Sequence, residues 1–422
     1  MAMSIPITSV PQSTNAMPSL FLKSKTLITH PDDPAILDAI VEIEGDRIIA
    51  VGSSEDVPIP PDATVIDRSN QTVMAAMLDP HTHITINNAY GIPLSEHFDL
   101  DYTTAVLRGA DNLRQDLITG VTTMRALGDR VGIEKSFRDT IERRELLAPR
   151  LQVCVRALRP SHGTAPFLAY PADGVEELKR KIGENIDEGA DWTKLFITNV
   201  RDGETFEDYL RGDLTDVAAY SRNEIDTAIA FSHDRGVPVC AHAIGGDAMR
   251  WAMEAGIESI EHANLLTEAD VDLFVKSSVY LSDPNLQLFF DSESGFESFG
   301  SWEWGWWRER VEIARELTAR WMPEAVKAGV KICLATDSTH TTLWRDARCL
   351  VGLGVSEVDA LKALTVNSAE MMGLSNEVGK VAPGMLADLI ALRGNPLDDI
   401  EVLQDVRMVM KEGVVVHEAV QT

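Results

Sequence analysis

Met77-Leu78-Asp79-Pro80-His81-Thr82-His83-Ile84 closes an apolar run that begins at Val73. The run, Val73-Met74-Ala75-Ala76-Met77-Leu78, reads as a buried strand, and its end carries two histidines spaced i, i+2. On a strand such residues point to one face, so both imidazoles can reach the same cation from a single rigid edge. Neutral imidazole is a frequent ligand for zinc and its neighbours. A lone His-x-His pair also occurs on ordinary surfaces and in cores. The pattern gains meaning only if later strands end in ligands as well.

Between residues 76 and 374 the chain alternates helical and strand-like segments. A helical pattern covers 102–118, and strand-like runs follow at 121–125, 151–155, 192–196, 237–242, 259–262, 279–282 and 331–337. Several of these runs are preceded by a helical stretch that stops at glycine: Gly120, Gly189, Gly236, Gly256 and Gly329. Glycine there is the expected C-terminal cap before a short turn. Eight strand–helix units predict an α/β fold of the (β/α)8 TIM-barrel type, whose functional side chains gather at the C-terminal ends of strands. Those ends carry His81, His83, Lys194, His242, His262 and Asp337, and four of the ten histidines in the chain fall among them.

The two chain ends differ from this middle. Residues 1–18 are rich in Ser, Pro and Thr and read as loose. Short strands are predicted at 21–28, 39–43 and 47–52, with Gly45-Asp46 as the turn between the last two. Strands are predicted again at 387–392 and 406–416. The expected organisation is a small β-sandwich domain built from 19–75 and 375–422, around a barrel domain of 76–374.

A hydrophobic fraction of 45% is enough for a sizeable core. With 66 acidic against 38 basic residues the net charge is −28, which argues against a nucleic acid partner and reads as a solvated acidic surface. Four cysteines, far apart, follow no metal-finger spacing. No apolar run reaches the roughly 18 residues a membrane span needs, and the N-terminus lacks the cationic head and apolar core of a signal peptide. A soluble, cytoplasmic protein without a membrane partner is expected.

The motifs now resemble a known group. His81 and His83, Gly189-Ala190-Asp191-Trp192-Thr193-Lys194, Ala241-His242-Ala243, Ile260-Glu261-His262-Ala263, Ala335-Thr336-Asp337-Ser338 and the late 379–389 segment are similar to motifs of the amidohydrolase superfamily. The resemblance is to the branch with a binuclear metal centre and a carboxylated lysine, near imidazolonepropionase-like and prolidase-like members that include ochratoxin-degrading amidases. It implies that His81, His83 and Asp337 hold one divalent ion, with His242 and His262 holding a second, zinc being the expected metal. Lys194 is a poor ligand as an ammonium, which has donors only. Carbon dioxide would convert its neutral amine to a carbamate, and two nearby cations favour that anion. A hydroxide bridging the metals would be the nucleophile, with Asp337 as general base and then acid.

Other residues are candidates by position. His162 follows strand three and is expected to contact substrate or the tetrahedral intermediate. His340, just past Asp337, and Tyr90, after strand one, are expected to bind substrate. Residues 302–307 hold four of the eight tryptophans, so Trp304 is expected in an aromatic lid over the mouth, the competing readings being a helix start or a subunit interface. The function expected is hydrolysis of an amide or peptide bond in a small N-acyl amino acid or dipeptide-like substrate with an apolar or aromatic group. The alternatives are a cyclic amide, lactone, carbamate or phosphoester opened on the same centre, or a non-catalytic assembly protein. The retained ligand set disfavours the last. A homo-oligomer is expected.

Overall fold

The computed structural model describes residues 19–86, 96, 100–129 and 132–419. Its strands form three sheets. The first unites both chain ends in the order Val414–Glu418, Val406–Lys411, Leu389–Leu392, Thr64–Ala75, Leu20–Ile28, Ile36–Glu44, Arg47–Ser53. Leu20–Ile28 and Thr64–Ala75 pair in parallel, and the remaining pairs are antiparallel. This sheet has an apolar cluster of its own, with Leu22, Val41, Val73, Leu389 and Met408 among its members. Two hairpin tips meet at its end. Glu412 and Gly413 both have positive φ (50° and 76°) between paired Lys411 and Val414, the backbone of a two-residue hairpin turn. A Cβ on Gly413 would collide with the carbonyl oxygen of Gly45 in the other hairpin.

The other two sheets are wholly parallel. One orders Ile332–Cys333, Tyr280–Ser282, Ser259–His262, Val239–Ala243, Thr193–Phe196, Ala157–Arg159 and Ala169–Pro171. The other holds Met77–Thr82, Val121–Ala126 and Arg150–Val153. The seven-stranded sheet meets the three-stranded one at both edges of the latter. His83 N donates to Asp337 O at 2.8 Å and Asp337 N to His81 O at 2.9 Å, while Asp191 N donates to Val153 O at 2.8 Å. The fold is therefore α/β with parallel strands, as the alternating pattern predicts.

Helices pack on these strands by their apolar stripes. In Ile133–Glu142 the buried apolar residues are Ile133, Phe137 and Ile141, spaced i, i+4, i+8. Arg222–Asp234 starts in a reciprocal cap, with Ser221 Oγ accepting from Glu224 N and a Glu224 oxygen accepting from Ser221 N. All five glycines read as helix stops have left-handed φ, between 76° and 98°. No described helix is long and apolar enough to cross a membrane.

Two sequence expectations need correction. The run 73–78 is not one strand: Ala75 ends a strand of the mixed sheet and Met77 begins one of the parallel sheet. The apolar stretch is continuous because both halves are buried, and periodicity cannot mark a change of sheet inside it. The run 151–155 is likewise not one strand: Arg150–Val153 stops short of Val155, which has φ 65°, and a separate strand Ala157–Arg159 follows in the other parallel sheet. Cys154 N and Val155 N donate to the buried Glu134 carboxylate, and Cys154 N reaches Ala126 O of the neighbouring strand as well.

Candidate active site and metal centre

Six side chains converge where the parallel strands end. His81 belongs to Met77–Thr82 and His83 follows it; Lys194, His242 and His262 lie on Thr193–Phe196, Val239–Ala243 and Ser259–His262; Asp337 follows Ile332–Cys333. His83 Nε2 lies 3.2 Å and His81 Nε2 3.8 Å from Asp337 Oδ1. Lys194 Nζ is 3.4 Å from His81 Nε2. Ring centroids of His81 and His262 are 5.1 Å apart, and those of His242 and His262 4.8 Å. Sheet register sets this spacing, since Phe196 pairs with His242 and Ala243 with His262.

The backbone around the cluster is unusual. Asn199, His262, Ala263, Asp283, Asn285 and Asp337 all have φ between 50° and 79°. Non-glycine residues avoid this region, and such strain concentrates at functional sites.

Three of the four imidazoles have one nitrogen in a hydrogen bond to the protein, and the fourth, His81, faces two carboxylates. His83 Nδ1 meets Gly128 O at 2.5 Å, His262 Nδ1 meets Asp283 O at 3.1 Å, and His242 Nε2 meets Asn199 Nδ2 at 2.9 Å. His81 Nδ1 is 2.8 Å from Asp283 Oδ2 and 3.2 Å from Glu261 Oε2. In His83 and His262, whose Nδ1 faces a carbonyl oxygen, Nε2 is left for a ligand, and donation to such outer partners is how proteins orient metal-binding histidines. Burial depresses the imidazoles of His81 and His242 well below the ordinary value and that of His262 to about 4, which keeps them neutral as ligation requires. Burial opposes ionisation of Asp337, but the His83 contact and the neighbouring imidazoles outweigh it and hold its carboxyl well below the usual range.

The cluster fits a divalent cation. Ligand atoms of His81, His83 and Asp337 lie within 4.8 Å of one another, as do those of His81, His262 and Asp283. His81 Nδ1, Glu261 Oε2 and both oxygens of Asp283 are buried without a hydrogen bond of good geometry. Arg125 compensates Glu261 through a 2.8 Å ion pair. Asp283 has no Lys or Arg partner among the described residues, and burial pushes its carboxyl well above the ordinary range. A buried carboxylate of this kind is costly unless a positive charge lies close. Imidazole nitrogens and carboxylate oxygens together suit zinc and its neighbours.

Asp283, Asn285, Glu261 and Asn199 contribute here without having been picked out as site residues in the sequence. Asp283 carried a usable signal, an acidic residue directly after strand Tyr280–Ser282. Asn199 carried none. Asp283→Ala is expected to weaken metal binding about 10–100-fold, measured by competition with a chelator. Metal-free stability should stay level or rise, because the cost of burying a carboxyl whose oxygens lack hydrogen bonds is removed. A fall in metal-free stability with unaltered affinity would make Asp283 merely structural.

A cavity of about 610 Å³ opens onto the cluster. His83, His242, His262 and Asp337 line it, and much of its apolar wall comes from Phe196, Leu214, Phe289, Phe296 and Trp307. Of the described residues expected from sequence to bind substrate, none lines it. His162 is exposed, with Nε2 tied to Ala219 O at 3.1 Å. His340 is fully buried, its Nδ1 2.6 Å from Asp116 Oδ2 and its Nε2 3.2 Å from His83 O. Burial disfavours its charge, yet the Asp116 carboxylate raises its pKa to about 9; it braces the His83 backbone. Trp304 is half-buried and stacks on Trp306 at 5.7 Å. Within 302–307 it is Trp307, fully buried at the start of helix Gly305–Ala328, that reaches the cavity wall. Tyr90 lies outside the described residues.

Parallel strands carrying histidine and acid ligands at one end define a class, the metal-dependent hydrolases built on such sheets. Residues 72–416 match the Amidohydrolase family, and the chain belongs to it, as a hydrolase acting on C–N bonds. Ochratoxinase of Aspergillus niger is 25% identical over 417 residues, covering 90% of this chain and 82% of that protein. Imidazolonepropionase of Chloroflexus aggregans (strain MD-66 / DSM 9485) is 27% identical over 400 residues, 85% of each. Among solved structures, a Xaa-Pro dipeptidase with methionine bound in its active site aligns with a TM-score of 0.81 and 22% identity, over 95% of this chain and 100% of that one. This last likeness is one of fold.

Proposed function

We propose that the chain is a binuclear metal-dependent amidohydrolase that cleaves an amide bond beside an apolar or aromatic group. In this reading the two parallel sheets close into one (β/α)8 barrel of residues 76–374, and residues 19–75 and 375–422 fold as a small β-sandwich. The observation that carries the reading is the cluster itself, in which His81, His83 and Asp337 present ligand atoms within 4.8 Å of one another while other protein groups hold the far sides of the rings. His81, His83 and Asp337 would hold one ion, His242 and His262 the other, and Lys194, carboxylated, would bridge them. Such ions, zinc in this reading, lower the pKa of water and polarise a carbonyl.

The chain's own groups do the rest. Asp337 lines the cavity and is the most solvent-accessible of the six, its side chain 19% exposed. It takes a proton from the attacking water and hands it to the leaving nitrogen. Phe196, Phe289 and Trp307 supply an apolar wall that holds the substrate's aromatic or aliphatic group and excludes water.

The test combines metal analysis with a substrate panel. Purified protein is expected to carry two divalent ions per chain. Chelation should abolish hydrolysis of dipeptides and N-acyl amino acids, and added zinc should restore it. Turnover of lactones or phosphotriesters with inert amides would move the assignment to a different bond. A protein with no bound metal and no turnover would leave only the assembly role.

A further inference from the structure

Asp213 is a carboxylate in the apolar part of the cavity wall, and the catalytic reading above does not use it. It caps the short helix Phe206–Gly212, where Arg310 Nη1 donates to the carbonyls of Leu210, Arg211 and Asp213 at 3.3, 2.7 and 2.8 Å. Its Oδ1 accepts from Leu214 N at 2.8 Å and from Asn199 Nδ2 at 2.7 Å. The side chain is thus fixed, while no hydrogen bond from the described residues reaches Oδ2, and the residue lines the cavity beside Leu210 and Leu214. Asn199 Nδ2 also meets His242 Nε2, so Asp213 stands two hydrogen bonds from the metal cluster.

We propose that Asp213 receives the free ammonium of an aminoacyl substrate, so that the bond cleaved belongs to a dipeptide or aminoacyl amide with an apolar or aromatic side chain and not to an N-acylated amino acid. The proposal rests on the reading of the site as an amidohydrolase and narrows its substrate. Three observations support it. The α-nitrogen of an aminoacyl group is two bonds from the scissile carbonyl carbon, which calls for an acceptor close to the cluster on one side. An open acceptor oxygen flanked by Leu210 and Leu214 in the cavity wall favours a ligand that brings a donor and rejects the analogue that cannot. Finally, the charged side chains among the described lining residues, Asp213, Glu293 and Asp337, are all acidic, so no Lys or Arg of that wall competes for the Asp213 carboxylate. Burial lifts the Asp213 carboxyl to about 6, which leaves it ionised at neutral pH.

The experiment compares kcat/KM for phenylalanine p-nitroanilide and its N-acetyl derivative, in the metal-loaded wild type and in Asp213→Asn. The wild type is expected to favour the free amine by about 10- to 100-fold, the worth of a charged hydrogen bond, and Asp213→Asn to lose most of that preference with unchanged metal content. Calorimetric binding of phenethylamine against 2-phenylethanol gives the same comparison without turnover. If neither anilide is cleaved but the wild type prefers the amine ligand and Asp213→Asn does not, the amide reading fails and the ammonium site stands. Equal or better use of the N-acetyl compound overturns the proposal. So does an amine preference that survives in Asp213→Asn, whether or not that variant has first to be refilled with metal.

Discussion

Replacing Lys194 by alanine is expected to abolish turnover and to strip the protein of much of its metal. Lys194 is 1% exposed, on a strand paired along both edges, so it cannot swing out to water. Its Nζ sits 3.4 Å from His81 Nε2 and 5.1 Å from the Phe196 ring centre. An ammonium fixed there would repel the very ions the histidines are placed to hold. An anionic carbamate would attract them and supply two acceptor oxygens, which is why the alanine variant should lose metal as well as rate. A short carboxylic acid added with zinc is expected to restore part of both, by filling the space with an equivalent anion. Lys194→Arg should be no better than alanine, since a guanidinium keeps its charge and has no acceptor. A Lys194→Ala protein with full metal and normal turnover would end the assignment.

Asp337→Asn is expected to keep the fold and lose about 10²–10⁴-fold in kcat, the usual worth of a positioned proton carrier. The backbone bonds that Asp337 makes to His81 and His83 do not involve its side chain, so the edge between the sheets should survive. The amide nearly preserves shape, and Asn285 Nδ2, 3.5 Å from Asp337 Oδ2, can still neighbour it. What is lost is the ability to accept and return a proton. The slope of log kcat against pH on the acid side should therefore flatten. A fall of less than a few-fold would assign proton transfer to another group.

The convergence of His81, His83, Lys194, His242, His262 and Asp337 was legible because its signal is local and repeats. A strand end followed by a ligand, and a helix ended by a left-handed glycine, each occupy a few residues and recur along 76–374. The supporting layer was not legible. Asp283 acts by standing against His81, 202 positions away in the chain, and Asn199 by linking His242 to Asp213; no spacing rule records such pairs. The same limit explains the misread binders. His162, His340 and Trp304 sit in the right loops, but whether a side chain turns to the cavity, to Asp116 or to a neighbouring indole depends on partners far away in sequence. Trp307 differs from Trp304 by three residues and reaches the wall because helix Gly305–Ala328 has begun there.

The mixed sheet sets an order of events during synthesis on the ribosome. Strand Thr64–Ala75 finds one neighbour early, in Leu20–Ile28, but its other neighbour, Leu389–Leu392, emerges more than three hundred residues later. Until then 72–75 present an unpaired, apolar strand edge, the kind that recruits foreign strands. In the finished fold it is Leu389–Leu392, brought back from beyond the whole parallel-sheet region, that covers this adhesive edge.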